Sequence, residues 1–180
     1  MAWADAVLFG AGTLRAYGTT LSVRDPDLRL QRQRLGRSPQ PWQICVSASG
    51  DLDPDWRYFS QPVPRGLLTT TTGARRWQGS PLFEQVWDGG KAIAWVPFLA
   101  QLQALGLERL AVLGGGELAA SLLGLDLIDE LQLTICPWLL GGVTAPTPVG
   151  GTGLPQPLAL RLVAVEPMGD EVFLTYRRRR

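Results

Sequence analysis

The sequence contains one local pattern twice: an apolar, strand-like run, a turn that contains glycine, and the start of a helix. The pattern occupies residues 8–13 (LFGAGT) and recurs at residues 112–117 (VLGGGE). Strand, glycine turn and helix, in this order, form the repeating unit of parallel α/β sheets. Glycine also lets the backbone approach a phosphate, whose charge is favoured by the free amides at a helix start. We therefore expect an α/β fold with two candidate phosphate-binding turns.

The rest of the chain predicts more elements of the same kind, followed by antiparallel strands at the C-terminal end. The hydrophobic pattern predicts strands at 4–9, 43–46, 66–70, around Ile93, and at 110–113, 131–135, 158–166 and 172–176, the last two joined across 168–170. It predicts helices that end near Tyr17, that begin at Asp25-Pro26, and that occupy 96–105 and 117–123. The helix after Pro26 carries charge on most faces, so we expect it to be exposed.

Composition favours a single soluble, globular, cytoplasmic domain over residues 1–180. The chain is 46% hydrophobic and 18% charged, with seven tryptophans, which suits a filled interior. No apolar run approaches the roughly 20 residues that cross a bilayer, and no signal-peptide pattern opens the chain. A net charge of +1 gives no general attraction to nucleic acid, and the arginine run at 177–180 is expected to be a solvated end. We expect neither a membrane nor a nucleic-acid partner.

The residue types exclude several kinds of active site. Because the chain has no histidine, a Ser-His-Asp triad, a Cys-His pair and a histidine-based metal site are excluded, and we expect no metal. Cys45 and Cys136 lie in strand-like apolar runs, which predicts buried thiols. No side chain is assigned a catalytic role.

Two common nucleotide-binding motifs do not fit the glycine turns. A P-loop needs a lysine after its last glycine, and none follows either turn. A Rossmann fingerprint can be placed on Gly114, Gly116 and Ala119, but its acidic residue is expected about 20 positions later. Asp129 and Glu130 come too early for that role. We therefore expect a dinucleotide held by two separate glycine turns.

Residues 4–24 carry a more specific pattern. ADAVLFGAGT at 4–13, followed by LSVR at 21–24, resembles the motif of the riboflavin-biosynthesis pyrimidine reductases, which form the reductase domain of a bifunctional deaminase/reductase in the dihydrofolate-reductase-like superfamily. LGGGEL at 113–118 and LGG at 140–142 continue the resemblance over nearly the whole chain. The resemblance implies a three-layer α/β fold: a mixed, mostly parallel sheet flanked by helices, with antiparallel C-terminal strands. It also implies assembly as a homodimer.

The resemblance further implies a site, residue by residue. The residues that it places at the cofactor, NADPH, are Thr13, Ser47, Ser49, Gly114, Gly115, Gly116, Glu117 and Leu118. The residues that it places at a phosphorylated pyrimidine substrate are Leu21, Arg24 and Leu113. Arg24 would pair with the ribose phosphate, although the residues alone equally allow a surface arginine beside Asp25. Arg75 or Arg76 would add charge near the 2′-phosphate of the cofactor.

The reaction implied by the resemblance is direct hydride transfer from NADPH to the open, imine-like form of a ribosylamino-pyrimidine phosphate. The substrate would be of the 5-amino-6-(5-phosphoribosylamino)uracil type, and the product would be the ribitylamino compound of riboflavin biosynthesis. Such a reaction needs alignment and exclusion of water more than acid–base side chains. A chain without histidine agrees with this requirement.

Two positions depart from the family pattern. Tyr17 stands where the family has an aspartate near the cofactor, and Leu113 stands where it commonly has a glutamate near the substrate. These departures keep open a reductase of the same fold that acts on another pyrimidine or pterin, whereas the missing first strand keeps open a non-catalytic nucleotide-binding homologue. The family's first strand and helix, which precede the ADA strand, have no counterpart in this sequence. We therefore expect Met1 to be an internal start and the chain to be truncated at its N-terminus.

Overall fold

The structure is a computed structural model, and it describes residues 1–142, 145, 147–154 and 156–179. The chain divides into two compact units, Met1–Gly115 and Gly116–Arg180. The first contains a parallel sheet with helices, and the second contains a helix and an antiparallel sheet. The predicted α/β class with antiparallel C-terminal strands is therefore confirmed. The assignment of residues 1–180 to one reductase domain stays a prediction.

The first unit is built on a parallel sheet. Its strands are β1 (Ala6–Gly10), β2 (Trp42–Val46), β3 (Arg65–Thr69), β4 (Gln85–Asp88) and β5 (Leu110–Val112). Their order is β4-β3-β2-β1-β5, and every neighbouring pair is parallel. A parallel sheet is covered on both faces, which explains why Val7, Leu8 and Phe9 of β1 are at most 1% exposed. β5, predicted as a buried strand, is half-buried, because among the described residues it pairs only with β1.

Helices cover this sheet. They are α1 (Ala11–Tyr17), α2 (Pro26–Arg34), a short 3-10 helix (Arg57–Ser60), α3 (Thr71–Arg76) and α4 (Trp95–Ala104). α2 begins where the sequence predicts, because the Asp25 carboxylate accepts hydrogen bonds from the amides of Asp27 at 2.8 Å and Leu28 at 3.4 Å. The predicted exposure of α2 is confirmed with one exception, which is the buried Arg32.

Strand β4 shows where the sequence prediction fails. The predicted strand around Ile93 is wrong, because Ile93 lies in the loop after β4, close to Gly90 with its φ of 86°. β4 is defined by packing: the ring of the buried Trp87 covers Gly66 of β3, where a Cβ atom would stand 2.4 Å from that ring. A strand of four residues is too short to show a hydrophobic period.

The second unit begins with α5 (Gly116–Gly124) and continues into three antiparallel strands. These are β6 (Glu130–Ile135), β7 (Leu160–Met168) and β8 (Glu171–Arg178), in the order β6-β8-β7. β7 and β8 form a hairpin, and Gly169 at its turn has a φ of 60°. The turn is the one that the sequence predicts.

The arginine run is not the solvated end that the sequence suggested. Arg177 and Arg178 lie within β8. Arg177 donates to Glu130 at 3.0 Å and thereby lowers the pKa of that carboxyl, and Arg178 pairs with Asp126. Arg177 lies opposite Glu130 in the pairing of β6 with β8, and Arg180 lies outside the described residues.

The two cysteines differ in their surroundings. Cys45 is fully buried in β2, as predicted, and burial raises the pKa of its thiol to about 12, so that the thiol stays protonated. Cys136 directly follows β6 and is exposed, so the prediction of a buried thiol is wrong there. The apolar run before Cys136 did not indicate burial, because β6 is an edge strand of its sheet and is largely exposed.

The Asp5 side chain links the segment before β1 to the residues that directly precede β5. The Asp5 carboxylate accepts hydrogen bonds from the Arg109 side chain at 2.9 and 3.2 Å, and from the amides of Glu108 at 3.2 Å and Arg109 at 2.9 Å. Burial alone would raise the pKa of Asp5, but these hydrogen bonds outweigh burial and lower the pKa below its usual value. The folded state is therefore stabilised by the charged form of Asp5.

We expect Asp5→Asn to lower the free energy of unfolding by about 2 kcal/mol at neutral pH, because a charged acceptor is lost while its donors remain. A carboxyl group whose pKa is lower in the folded than in the unfolded state contributes its full stabilisation at pH values above the unfolded-state pKa. This contribution to the free energy of unfolding is lost as the pH falls through the folded-state pKa. The difference between wild type and variant should therefore shrink below about pH 4. Urea unfolding at neutral and at acidic pH measures the difference in unfolding free energy between wild type and Asp5→Asn. An equal difference at both pH values would contradict a stabilising role for the charged Asp5 carboxylate.

Candidate active site

The carboxyl ends of β1 and β5 lie side by side, because the two strands pair in parallel with Leu8 opposite Val112. The Leu113 amide extends this pairing through a hydrogen bond to the Leu8 carbonyl at 2.8 Å. A cavity of about 300 Å³ opens at this edge of the sheet. The residues that line it are Phe9, Thr13, Tyr17, Thr19, Thr20, Leu21 and Leu113. The carboxyl edge of a parallel sheet is where α/β proteins bind their ligands.

Helix α1 brings two side chains to the cavity. Thr13 and Tyr17 are one helical turn apart, so they lie on one face of α1. The helix ends at Gly18, whose φ of 63° is readily adopted by glycine and whose amide donates to the Leu14 carbonyl at 2.7 Å. This helix end redirects the chain, and residues 19–21 line the same cavity.

Two side-chain amides fix the threonine wall of the cavity. The Thr19 hydroxyl donates to Oε1 of Gln61 at 2.8 Å, and the Thr20 hydroxyl donates to Oε1 of Gln43 at 2.8 Å. Gln61 also accepts from the Thr20 amide at 3.0 Å and donates to the Thr20 carbonyl at 2.9 Å. Gln43 is fully buried. The wall therefore keeps its shape through neutral hydrogen bonds rather than through charges.

Two hydroxyl groups of the cavity lining, those of Thr13 and Tyr17, are free of hydrogen bonds to the described residues, in an otherwise apolar surface. None of its lining residues carries a charge. The Thr13 hydroxyl makes no hydrogen bond to any residue that the structure describes, unlike those of Thr19 and Thr20. Phe9, which is 1% exposed, closes the inner side, while Tyr17 and Leu21 are 75% and 60% exposed. Such a cavity fits a flat, uncharged ring with a polar substituent, a description that the nicotinamide ring and a pyrimidine ring both meet.

The structure brings together three residues that the sequence assigned to the site. Thr13, Leu21 and Leu113 come from three segments of the chain and line this one cavity. Tyr17, the other position that departs from the family pattern, lines it too. The individual roles assigned to these residues stay predictions.

Sequence reasoning missed Phe9, Thr19 and Thr20. Phe9 carried a usable signal, because it is the last apolar residue before the glycine turn. The two threonines carried none, because their placement depends on Gln43 and Gln61, which are 23 and 41 residues further along the chain.

Arg24 lies beyond the cavity lining and is exposed. The preceding residue, Val23, is held at both its amide and its carbonyl by the Gln40 side chain, at 2.8 and 2.9 Å. The Asp25 carboxylate caps α2 and forms no ion pair with Arg24. Among the described residues the Arg24 guanidinium has no acidic partner, so it is free to meet an anion.

The two predicted serines lie at the carboxyl end of β2, outside the cavity lining. The Ser47 hydroxyl accepts from the Gly50 amide at 3.1 Å, and the Ser49 hydroxyl accepts from the Asp51 amide at 3.2 Å. Each hydroxyl therefore keeps its own hydrogen free to donate, but Ser49 is exposed whereas Ser47 is only 5% exposed, which leaves Ser49 the more accessible to a ligand. The loop is held firmly, because a Cβ atom at Gly50 would stand 2.8 Å from the Cα of Gly73 in α3.

The arginines at the end of α3 differ in their partners. Arg76 pairs with Asp51 at 3.2 Å, and both side chains are exposed. Arg75 is exposed and has no acidic partner among the described residues. Of the two, Arg75 is therefore the more available for the charge that the sequence predicts near a phosphate.

The second glycine turn spans the boundary of the two units. Gly114 and Gly115 have φ values of 59° and 80°, which only glycine adopts readily. Gly116, with Glu117 and Leu118, begins α5 in the second unit. Within that unit a Cβ atom at Gly116 would stand 2.8 Å from the amide nitrogen of Gly150, so close packing already requires glycine there. The predicted phosphate contact at 114–118 stays a prediction.

The described residues form neither a metal site nor a membrane-spanning helix. No group of three or more Cys, Asp or Glu residues lies where it could hold a metal ion. None of the helices in the described part of the chain has the length and apolar character of a membrane span. The cavity at the carboxyl edge of the parallel sheet is the candidate active site.

The fold and the cavity define a class of protein: an α/β protein whose parallel sheet carries a small, uncharged ligand cavity at its carboxyl edge. Within that class, the chain belongs to the RibD C-terminal domain family, whose model matches residues 1–174. The family resemblance noted in the sequence is thereby confirmed.

The chain is similar to several named proteins. It is 28% identical over 176 residues to the 2,5-diamino-6-ribosylamino-4(3H)-pyrimidinone 5′-phosphate reductase of Archaeoglobus fulgidus, a match that covers 96% of this chain and 79% of that protein. It is 32% identical over 185 residues to the riboflavin biosynthesis protein RibD of Actinobacillus pleuropneumoniae, covering 96% of this chain but 46% of that protein. A solved structure, a pyrimidine reductase-like protein from Corynebacterium diphtheriae, matches with a TM-score of 0.86 at 24% identity, covering 99% of this chain and 77% of that one. The structural match supports the fold.

Proposed function

We propose that this chain is an NADPH-dependent pyrimidine reductase of riboflavin biosynthesis. Its substrate would be a ribosylamino-pyrimidine phosphate, either the uracil form or the diamino-pyrimidinone form named for the Archaeoglobus relative. Family membership and the names of the relatives support the reaction class. The observation that carries the proposal is one uncharged cavity lined by Thr13, expected at the cofactor, and by Leu21 and Leu113, expected at the substrate.

The residues of the cavity suit a reaction that depends on alignment. NADPH, when bound, would supply the hydride that reduces the open imine form of the substrate, and the proton would come from water at the exposed rim of the cavity, where Tyr17 and Leu21 lie. The free Thr13 hydroxyl can hydrogen-bond a ring substituent and fix the angle of one ring. Phe9 and Leu113 exclude water, and the amide-bonded threonines keep the wall rigid. No carboxylate, amine or imidazole lines the cavity, which agrees with a step that needs no side-chain acid or base.

The direct test is the loss of NADPH absorbance when the purified chain meets each of the two ribosylamino-pyrimidine phosphates, with NADH compared in parallel. We expect turnover of at least one of them with NADPH. Binding of NADPH without turnover of either would favour a reductase of another pyrimidine or pterin. Absence of NADPH binding would favour the non-catalytic homologue and would overturn the proposal.

Arg24 gives a sharper test of the substrate. We expect Arg24→Gln to raise KM for the phosphorylated substrate by about 10- to 100-fold with little change in kcat, because a charge-assisted hydrogen bond to a phosphate is worth about 1.5–3 kcal/mol. Turnover of the dephosphorylated substrate should not change. Arg34→Gln, at an exposed arginine of α2, is the matched control. Equal KM values for wild type and Arg24→Gln would remove Arg24 from the phosphate site.

We also propose that the protein works as a homodimer in the cytoplasm. Apolar side chains of β7 support the need for a partner, because Leu162, Val165 and Met168 are 49%, 52% and 68% exposed. Light scattering during gel filtration measures the oligomeric state. A monomer over the whole working concentration range would contradict the dimer.

A further inference from the structure

Tyr17 is the residue of the cavity whose role is least explained by folding. Its side chain is 75% exposed. Among the described residues its ring stacks on no other aromatic ring, and its hydroxyl makes no hydrogen bond. An aromatic ring left in water, on the rim of an apolar cavity, has its face available to a ligand.

The backbone under Tyr17 is held although the ring is free. Tyr17 is the last residue of α1, and the helix end is closed by the hydrogen bond from Gly18 to Leu14 at 2.7 Å. The Gly18 carbonyl accepts from the amide of Tyr58, a fully buried residue, at 2.9 Å. A rigid support and an unengaged ring are the two properties that a stacking platform needs.

The size and polarity of the cavity limit what can contact that ring. A volume of about 300 Å³ is at the lower end of the range for small-molecule sites, so it accommodates one ring system rather than a whole dinucleotide. Its lining is uncharged, which excludes a phosphate as the buried group. With Phe9 and Leu113 inside and Tyr17 and Leu21 exposed beside them, a flat neutral heterocycle is the ligand that fits.

We infer that Tyr17 is a substrate-binding residue whose ring stacks on the pyrimidine ring of the substrate. The inference rests on the proposed function and states which contact recognises the pyrimidine ring of the substrate. Of the lining residues with an expected ligand, Leu21 and Leu113 are expected at the substrate and Thr13 at the cofactor, which favours the pyrimidine, and the NADPH affinity of Tyr17→Leu decides between the two rings. The resemblance places an aspartate near the cofactor at this position, and a neutral tyrosine cannot replace its charge. A tyrosine instead binds the face of the ring, which every pyrimidine possesses.

The test compares wild type with Tyr17→Phe and Tyr17→Leu. For each protein we measure kcat and KM for the ribosylamino-pyrimidine phosphate, and by calorimetry the affinities for NADPH and for the ribitylamino-pyrimidine phosphate product. We expect Tyr17→Phe to stay within about twofold of wild type, because it keeps the ring face. We expect Tyr17→Leu to weaken pyrimidine binding and raise KM by about 10-fold, with unchanged NADPH affinity. Trp3→Leu, at a half-exposed tryptophan outside the cavity lining, is the matched control.

The outcomes separate this inference from the proposed function. An active wild type with an unchanged KM in Tyr17→Leu overturns the stacking role and leaves the function standing. A loss of NADPH affinity in Tyr17→Leu, with pyrimidine affinity intact, overturns the pyrimidine assignment. If wild type binds the product but turns over neither substrate, the function fails, and a 10-fold weaker affinity in Tyr17→Leu still supports stacking. If wild type binds no pyrimidine, both fail.

Discussion

Replacing Leu113 by tryptophan is expected to reduce kcat/KM for the pyrimidine substrate by about 100-fold, because the indole fills much of the cavity in which the pyrimidine ring is proposed to bind and so prevents its alignment with the cofactor. The backbone at this position is fixed by the hydrogen bond from Leu113 to Leu8, so the larger side chain cannot be moved aside by a shift of the main chain. Leu113 lines the cavity and is only half-buried, so the variant should still fold. Steady-state kinetics and the melting temperature are the two measurements.

Leu113→Met serves as the control for this change. A methionine conserves volume, and such exchanges are tolerated best among apolar residues, so activity should stay within a few-fold of wild type. A folded Leu113→Trp protein with full activity would show that the cavity between β1 and β5 is not where the reaction occurs.

Replacing Arg32 by methionine is expected to cost about 3 kcal/mol of unfolding free energy, the largest loss of stability that we anticipate for a single side chain of α2. Arg32 is 3% exposed, and its guanidinium donates to the carbonyls of Ser38 at 2.8 Å, Ala2 at 2.7 Å and Ala4 at 2.6 Å. Methionine fills much of the same space but donates no hydrogen bond, so three carbonyls lose their donor. Denaturant unfolding measures the difference.

Arg34 provides the comparison for Arg32 within the same helix. It is exposed, so Arg34→Met should change stability by less than about 0.5 kcal/mol. Arg32→Lys should fall between wild type and Arg32→Met, because an ammonium is a single donor point that cannot span three carbonyls as the planar guanidinium does. Equal stability of the two methionine variants would show that the three hydrogen bonds contribute nothing.

Much of the fold is predictable because its signals are local. The glycine turn after β1 and the aspartate–proline pair at the start of α2 each specify their own geometry within a few residues. Strand β4 is different, since it exists because Trp87 packs on Gly66, a residue of the neighbouring strand. A contact between two neighbouring strands produces no hydrophobic periodicity in the sequence of either strand.

Burial of charged and polar residues is the part that the sequence does not reveal. α2 reads as a fully exposed helix, and no pattern distinguishes Arg32 from Arg34 before the N-terminal carbonyls are in place. Cys136 shows the converse error, because an apolar run in an edge strand was taken for a buried one. For Arg32 the deciding contacts join distant segments of the chain, and for Cys136 the deciding fact is the edge position of β6 in its sheet.

The candidate site also contains residues that the sequence predicted and residues that it did not. Thr13, Leu21 and Leu113 follow from a family motif, and the structure gathers them around one cavity. Ser47, Ser49 and Arg24 lie outside its lining, where their assigned contacts with cofactor and substrate phosphates stay predictions. The hydrogen bonds of Thr19 and Thr20 could not be predicted, because nothing local marks Gln61 as their partner.

The hydrogen bonds of Gln61 have a practical consequence for ligand screening. Gln61 is bonded to Thr20 across 41 residues of chain, so the cavity exists only when these distant parts of the first unit are folded together. A molecule that binds the cavity has no site on the unfolded chain, and it must stabilise the folded state by mass action. The thermal midpoint of the protein then becomes an assay in itself: candidate pyrimidines can be ranked by how far each one raises it, before any turnover is measured.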